Sequence, residues 1–278
     1  MPYAVSQSVE IYYETAGDPS GAPLVLVQGF GAQLIAWRKE FCALLVAEGF
    51  RVIRLDHRDV GRSGRCGGPE DLDGGYELTD MAGDVLCVLD ALGVERAHLL
   101  GHSMGGMIGQ VLALDHPRRL LSLAMLATIP GQDPAYLLDD PTPALSVVQP
   151  RLSREEAIEA SVAVQRHYAV AGRPWDEAWV REAAGIAYDR GYAPDGLPRQ
   201  WAALLRARDR LERLREVTLP TVIMHGRDDA VLHWRAAVDM ATAIEGAGLH
   251  LYPGMGHDLP REFWADVVAA VTRNARRC

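Results

Sequence analysis

Short, mostly apolar runs recur along the chain, and each ends at a turn rich in glycine or charged residues. Runs of this kind are typical of buried β-strands. The pattern predicts strands over 24–27, 51–55, 97–100, 121–126, 221–224 and 249–252. An alternating stretch with β-branched and aromatic residues precedes them at 9–15 and predicts an edge strand.

Helical periodicity fills most of the intervals between these strands. The pattern predicts helices over 79–92, 104–116, 234–246 and 261–276. In the last segment, Phe263, Val267 and Val271 repeat at i, i+4 and i+8, which places them on one stripe of a helix. Strands that alternate with helices predict an α/β fold, with a mainly parallel sheet covered by helices on both faces.

The alternation of strands and helices stops between 132 and 215. Helical patterns separated by proline and glycine occupy this stretch, and tyrosine and tryptophan are frequent in it. The helices are predicted around 154–171, 175–190 and 198–214. We interpret the stretch as a helical cap. The core then comprises 1–131 and 216–278, and the cap comprises 132–215.

Composition narrows the classes of partner. The chain has 278 residues and a net charge of −9, and it lacks the basic patch that nucleic-acid binding needs. No apolar stretch approaches the roughly 18 residues of a membrane span, and the first residues do not form a secretory signal. Four scattered cysteines indicate reduced thiols in the cytoplasm. We expect a cytoplasmic monomer or homodimer that acts on a small molecule.

A candidate nucleophile follows the third predicted apolar run. The segment Gly101-His102-Ser103-Met104-Gly105 matches G-x-S-x-G, and it stands between a predicted strand and a buried helix. A nucleophile elbow requires this context, because a sharp strand-to-helix turn exposes the serine oxygen. The alternative is a tight turn that carries a serine without a chemical role.

A serine needs a base to take its proton, and the base needs a carboxylate. His257 lies in a glycine-containing loop after the last predicted strand and is the predicted base. Asp229, three residues after Gly226, is the predicted acid, and Asp228 remains its rival. Asp258 is predicted to cap the final helix.

The oxyanion of an acyl-transfer reaction needs two N–H donors. The predicted donors are the backbone N–H groups of Met104, after the nucleophile, and Phe30, after the first buried strand. Three side chains are candidates for substrate binding: His102, Trp201 and Tyr168. The aromatic ones have the alternative of packing the cap against the core.

A dense charged segment, Asp56-His57-Arg58-Asp59, ends another predicted strand. It is interpreted either as a network that holds the turn or as a direct contact to substrate. No zinc-binding spacing and no glycine-rich nucleotide loop is present, so we expect neither a metal nor another cofactor.

The motifs at 101–105, 226–229 and 253–257 together resemble the α/β-hydrolase superfamily over essentially the whole chain. More narrowly, the chain resembles bacterial esterases of the aclacinomycin methylesterase type over residues 56–63, 114–117, 214–221 and 253–257. The resemblance implies hydrolysis of a carboxylic ester, and its nucleophile, acid and base fall on Ser103, Asp229 and His257. Many members have His-Gly where this chain has Gln28-Gly29, so the hydrogen bonds beside Phe30 should differ.

The predicted reaction is cleavage of a carboxylic ester of a small apolar or aromatic substrate, through an acyl-enzyme on Ser103. The same residues serve a C–C bond hydrolase, a lactonase, a perhydrolase or an acyltransferase. The fold also serves small-molecule receptors with little turnover. Haloalkane dehalogenase and epoxide hydrolase chemistry is disfavoured, because those relatives have an aspartate at the elbow.

Overall fold

A computed structural model describes residues 2–140, 145, 147–173 and 175–278. The strands in these residues are β1 (Tyr3–Ser6), β2 (Val9–Ala16), β3 (Ala22–Val27), β4 (Phe50–Leu55), β5 (Ala97–His102), β6 (Leu120–Leu126), β7 (Thr221–Gly226) and β8 (Gly248–Tyr252). The α-helices are α1 (Lys39–Ala47), α2 (Leu78–Ala91), α3 (Met104–Asp115), α4 (Arg154–Tyr168), α5 (Glu177–Gly191), α6 (Gly196–Leu205), α7 (Arg235–Ala243) and α8 (Trp264–Ala275).

The strands form one sheet in the order β1-β2-β4-β3-β5-β6-β7-β8. The pairs β1–β2 and β2–β4 are antiparallel, and every other neighbouring pair is parallel. This confirms the predicted mainly parallel sheet. Because the carboxyl ends of parallel strands meet at one edge, the loops after β3, β5, β7 and β8 lie on the same side of the molecule.

Successive residues of β3 pack on opposite faces of the sheet. Leu24 and Leu26 belong to a buried cluster with α1 and α8, whereas Val25 and Val27 belong to a cluster with α2, α3 and α7. Residues 24–27 are covered on both faces, so each of them is buried and together they form a continuous apolar run. The central strands therefore form a rigid layer between two sets of helices.

The predicted edge strand is wrong in one respect. The strand over 9–15 exists as β2, but β2 lies between β1 and β4, and β1 is the edge. β1 is too short to carry a pattern of its own, and it turns into β2 through Gln7 and Ser8, both with positive φ. Asparagine and glycine usually mark such a turn, so the sequence lacks the normal signal.

Two further helices differ from the prediction. No helix was predicted over Lys39–Ala47, where α1 buries Phe41, Cys42 and Leu45. The helix predicted over 198–214 ends at Leu205, and a short 3₁₀ turn follows at Arg213–Glu216. The Asp209 carboxylate accepts the Leu211 N–H at 2.7 Å, which turns the chain between them.

The helices α4, α5 and α6 lie between β6 and β7, where the cap was predicted. The predicted cap also contains 141–144, 146 and 174, which lie outside the described residues. Its limits at 132 and 215 stay a prediction. In the described part of the chain, no helix is both long and apolar enough to cross a membrane.

Candidate active site

Ser103 connects β5 to α3 with φ of 53° and ψ of −120°. A non-glycine residue in this region is strained, and the strain is typical of a nucleophile elbow. A Cβ on Gly105 would overlap the Val27 carbonyl on the neighbouring strand. The glycine therefore lets α3 begin directly against the sheet, which places Ser103 at the carboxyl edge.

Three side chains from separate loops meet at this edge. Ser103 Oγ lies 3.2 Å from His257 Nε2, and His257 Nδ1 lies 2.8 Å from Asp229 Oδ2. Because an ionised carboxylate can only accept, Nδ1 carries the imidazole proton and Nε2 can accept from the serine hydroxyl. The side chains that the sequence selected are thus connected in the order serine, histidine, aspartate.

Further donors surround the buried Asp229 carboxylate. Its Oδ1 accepts the N–H groups of Val231 and Leu232 at 2.8 and 2.9 Å, and its Oδ2 lies 3.1 Å from His225 Nε2. Burial raises the pKa of Asp229, but the charges and hydrogen bonds of His257 and His225 outweigh burial and hold that pKa below its ordinary value. Asp229 is therefore ionised at neutral pH.

The rival carboxylate points elsewhere. Asp228 Oδ2 accepts the Gly254 N–H at 2.6 Å, which fixes the loop that carries His257.

Asp258 does not cap the final helix, since that helix begins at Trp264 after a 3₁₀ turn that Pro260 precedes. The prediction for Asp258 is wrong, and burial raises the pKa of this carboxyl to about 6.

The two predicted oxyanion donors lie in segments next to the serine, since Met104 follows Ser103 and a Cβ on Gly29, the neighbour of Phe30, would lie 3.1 Å from Ser103 Cβ. Phe30 is in the loop after β3, and no acceptor for its N–H occurs among the described residues. Met104 is the first residue of α3, so its N–H is one of the groups that have no partner inside a helix. Both N–H groups are available to a ligand oxygen.

His102 faces protein atoms with both ring nitrogens. Nδ1 lies 2.9 Å from Gln28 Oε1, and Nε2 lies 2.8 Å from the His257 carbonyl. Burial, and next the charge of His257, lower the pKa of His102 to about 3. The neutral ring has one N–H and donates to only one of the two acceptors. A role for His102 in substrate binding stays a prediction.

The two aromatic candidates lie beside the site. The Trp201 ring packs edge-on against Phe30 with centroids 5.7 Å apart, and the Tyr168 ring lies 5.3 Å from that of His257. The Tyr168 carbonyl also accepts the His257 N–H at 3.2 Å. Their contact with substrate stays a prediction, but their position next to the reactive groups is a structural fact.

The charged segment after β4 contacts protein groups. Arg58 forms a bidentate ion pair with Asp84. Its Nε lies 2.7 Å from Asp84 Oδ2, and its Nη2 lies 2.6 Å from Asp84 Oδ1. Both side chains are buried. This arrangement agrees with the first interpretation of the segment, a network that holds the turn.

Two arginines of α4–α6, the helical insertion between β6 and β7, complete this network. Arg190 Nη2 lies 2.7 Å from Asp56, and Arg199 Nη2 lies 2.8 Å from Asp59. The sequence did not indicate either arginine, because each partner is distant in the chain, by 134 and 140 positions. These pairs hold the insertion against the sheet edge that carries Ser103.

No group of three or more histidine, cysteine, aspartate or glutamate side chains in the described ranges is arranged to hold a metal ion.

Comparison with known proteins assigns the family. The family model described as "alpha/beta hydrolase fold" matches residues 22–260. A putative carbamate hydrolase RutD of Variovorax paradoxus (strain S110) is 34% identical, with 89% of each chain covered. The rhodomycin D methylesterase DnrP of Streptomyces peucetius is 32% identical, with 98% of this chain and 96% of the relative covered.

A solved structure shares the whole fold. The crystal structure of a hydrolase from Pseudomonas aeruginosa PA01 superposes with a TM-score of 0.78 at 28% identity, over 98% of this chain and 97% of that one. The chain belongs to the α/β-hydrolase fold family. The protein is therefore a hydrolase.

Proposed function

We propose that this protein is a serine esterase that cleaves a carboxylic ester of a small apolar or aromatic substrate through an acyl-enzyme on Ser103. The observation that carries the proposal is the connected set of Ser103, His257 and Asp229, with the serine at positive φ. A strained serine with a hydrogen-bonded base and a buried acid is the arrangement that activates a hydroxyl for acyl transfer.

In the first half of the reaction, Ser103 Oγ bonds to the ester carbonyl carbon and its proton moves to His257 Nε2. The carbonyl electron pair moves to oxygen, and the N–H groups of Phe30 and Met104 bind the resulting oxyanion. The intermediate then expels the alkoxide, which takes the proton from His257 and leaves as the alcohol. The acyl group remains on Ser103.

In the second half, water replaces the alcohol. His257 removes a proton as the water oxygen bonds to the acyl carbon, and the serine oxygen leaves with that proton. Asp229 keeps His257 in the required tautomer and stabilises the imidazolium in both halves. This carboxylate suits the role because its pKa is held below the ordinary value.

An apolar or aromatic substrate is supported by what surrounds the serine. Trp201 forms an edge-on pair with Phe30 of the oxyanion loop, which comprises residues 28–31 after β3, and Tyr168 packs against His257. Aromatic rings bind apolar and ring-bearing groups through large contact areas. The 32% identical relative named a methylesterase agrees with an ester substrate.

The test is hydrolysis of p-nitrophenyl esters from acetate to longer and aromatic acyl groups. Ser103→Ala should reduce kcat by about 10⁴-fold or more. Ser122→Ala is a matched control, since Ser122 Oγ also bonds a histidine, His98 Nδ1, at 2.8 Å, and no carboxylate of the described residues bonds that histidine. Ester turnover that survives in Ser103→Ala would overturn the proposal, whereas Ser122→Ala should keep it.

Carbamate hydrolysis is a second candidate, favoured by the 34% identical relative named a putative carbamate hydrolase. The serine would attack the carbamate carbonyl, and His257 would protonate the leaving nitrogen. The two candidates separate in one assay that measures kcat/KM for an aryl ester, which releases the aryl group on oxygen, and for an N-aryl carbamate, which releases the same aryl group on nitrogen. A ratio above 1 for the ester supports the first, and a ratio below 1 supports the second.

A further inference from the structure

The N–H groups on both sides of Phe30 are occupied by glutamine side chains. Gln28 Oε1 accepts the Gly29 N–H at 2.7 Å, and Gln200 Oε1 accepts the Gly31 N–H at 2.9 Å. Gln28 belongs to the loop itself, whereas Gln200 is on α6 of the helical insertion. The Phe30 N–H between them is left for a ligand.

The orientation of the Gln200 amide follows from its two partners. The Gly31 N–H can only donate, and the Arg58 carbonyl, 2.8 Å from Nε2, can only accept. Gln200 is fully buried. Removal of this amide would leave a partly buried N–H and a buried carbonyl without their glutamine partner, which would destabilise the fold.

One face of α6 covers the loop. Leu197, Gln200 and Trp201 stand at i, i+3 and i+4, which places them on the same side of the helix. Trp201 contacts Phe30, and a Cβ on Gly31 would lie 2.6 Å from Leu197 Cδ2. The loop therefore takes its shape against α6 as well as against the sheet.

We propose that Gln28 and Gln200 are positioning residues that orient the Phe30 N–H as oxyanion donor, and that through Gln200 this donor forms only when α6 lies against the core. The inference rests on the proposed function. The two glutamines do not touch the substrate; they hold the peptide planes on either side of the one that carries the Phe30 N–H.

The physical reason is the linkage between neighbouring peptide planes. The Gly29 and Gly31 N–H groups belong to the planes before and after the one with the Phe30 N–H, and each is held by a glutamine oxygen. With both neighbouring planes held, the Cα atoms of Gly29 and Phe30 stay in place, so the middle plane can turn only about the axis that joins them. An oxyanion donor that is fixed in advance needs no reorganisation when negative charge develops, which is where its catalytic value lies.

Kinetics of matched glutamine variants test the proposal. Gln200→Met and Gln28→Met should lower kcat for a small ester by about 10- to 100-fold and change KM by less than about 3-fold, because the lost interaction acts only in the transition state. Gln33→Met is the control. Gln33 also connects the core to the insertion, through the Ala187 carbonyl at 2.8 Å and Arg190 at 2.9 Å, but it bonds none of the N–H groups at 29–31.

A second readout separates positioning from stability. An aryl trifluoromethyl ketone adds to Ser103 and forms an oxyanion, whereas the ether of the same shape cannot. The Gln200 and Gln28 variants should lose affinity for the ketone by the factor lost in kcat and keep their affinity for the ether. If all three variants lower Tm alike and none changes kcat or ketone affinity beyond the Gln33 control, the inference is overturned.

A further test uses the wild-type protein, so it does not require that any variant folds. In a crystal structure of the trifluoromethyl ketone adduct, the oxyanion should accept from Phe30 and Met104 while Gly29 and Gly31 stay on the glutamines. An oxyanion bonded to the Gly31 N–H, with Gln200 displaced, would overturn the inference. Retained turnover in Ser103→Ala would instead defeat the proposed function, so the two failures are distinguishable.

Discussion

His225 Nε2 lies 3.1 Å from Asp229 Oδ2, the same oxygen that receives His257 Nδ1. Asp229 therefore contacts a second histidine besides His257. The same nitrogen of His225 also lies 3.1 Å from the Leu232 carbonyl oxygen. Both neighbours of His225 Nε2 are acceptors, so this nitrogen carries the proton. His225 helps to hold the Asp229 pKa low and the carboxylate in place.

Loss of the His225 hydrogen bond should weaken the acid without removing it. His225→Leu is expected to reduce kcat by about 10-fold, because a hydrogen bond to a charged group contributes about 1.5–3 kcal/mol and part of it acts in the transition state. His225→Gln can place an amide N–H near the same point and should recover most of kcat. Equal activity of the Leu and Gln variants in p-nitrophenyl acetate hydrolysis would contradict this role.

The assignment of Asp229, and not Asp228, as the acid predicts that substitutions at the two positions reduce kcat to different extents. Asp229→Asn should lower kcat by about 10⁴-fold, because an amide cannot hold the tautomer or stabilise the imidazolium. Asp228→Asn should lower kcat by less than about 10-fold, since its carboxylate bonds the Gly254 N–H and not the His257 ring. Steady-state kinetics of the two variants test this assignment. A larger loss of kcat in Asp228→Asn than in Asp229→Asn would identify Asp228 as the catalytic acid.

The partly buried ring of His102 makes folding sensitive to acid. Its folded-state pKa is lowered from 6.5 to about 3, so the unfolded chain binds a proton in that window that the folded protein does not. The free energy of unfolding should therefore fall as pH drops from about 6.5 towards 3, by at most about 1.4 kcal/mol per pH unit from this group. The groups that face it are His257, Asp229 and His225.

Urea unfolding between pH 7 and pH 4 measures this sensitivity. His102→Gln should flatten the pH dependence relative to the wild type, since the titrating ring is gone. His116→Gln, which changes a histidine at an exposed position and keeps the His102 ring, is the control. Parallel slopes for the wild type and the His102 variant would show that the ring does not contribute.

The buried ion pair between Arg199 and Asp59 predicts a large loss of stability. Arg199→Met should lower the free energy of unfolding by about 3 kcal/mol or more, because it leaves a buried carboxylate without its charge partner. Arg215→Met, from an exposed pair with Glu212, should change stability by less than about 1 kcal/mol. Urea titrations at pH 7 compare them, and similar midpoints would exclude Arg199 as an anchor of the insertion.

Contact between Trp201 and substrate predicts a size-dependent effect. Trp201→Ala should raise KM for an aromatic ester by about 10-fold and for the acetate by less than about 3-fold, because only the larger group reaches the ring. Trp175→Ala removes a tryptophan of the insertion that packs against Arg166 instead, and should leave both values unchanged. A uniform change across the ester series would assign Trp201 to packing alone.

The predictions from sequence held where the signal was local. The apolar runs gave the central strands, and the motif around Ser103 placed the elbow between a strand and a buried helix. The predictions were wrong where the local sequence pattern was weak or continued past the end of an element. The four-residue β1 carries no pattern, and its turn at Gln7 and Ser8 lacks the usual residues. The helix predicted over 198–214 continued a periodicity that the Asp209 turn interrupts.

The sequence by itself determined the alternation of strands and helices, the strand-end positions of Ser103, Asp229 and His257, and the family. These depend on periodicity and on motifs a few residues long. Only the tertiary structure decided that His225 shares the acid, that Arg199 pairs with Asp59, and that Gln200 bonds the oxyanion loop. Those partners are brought together by packing across the sheet edge, and a buried polar group takes whichever partner the fold places beside it.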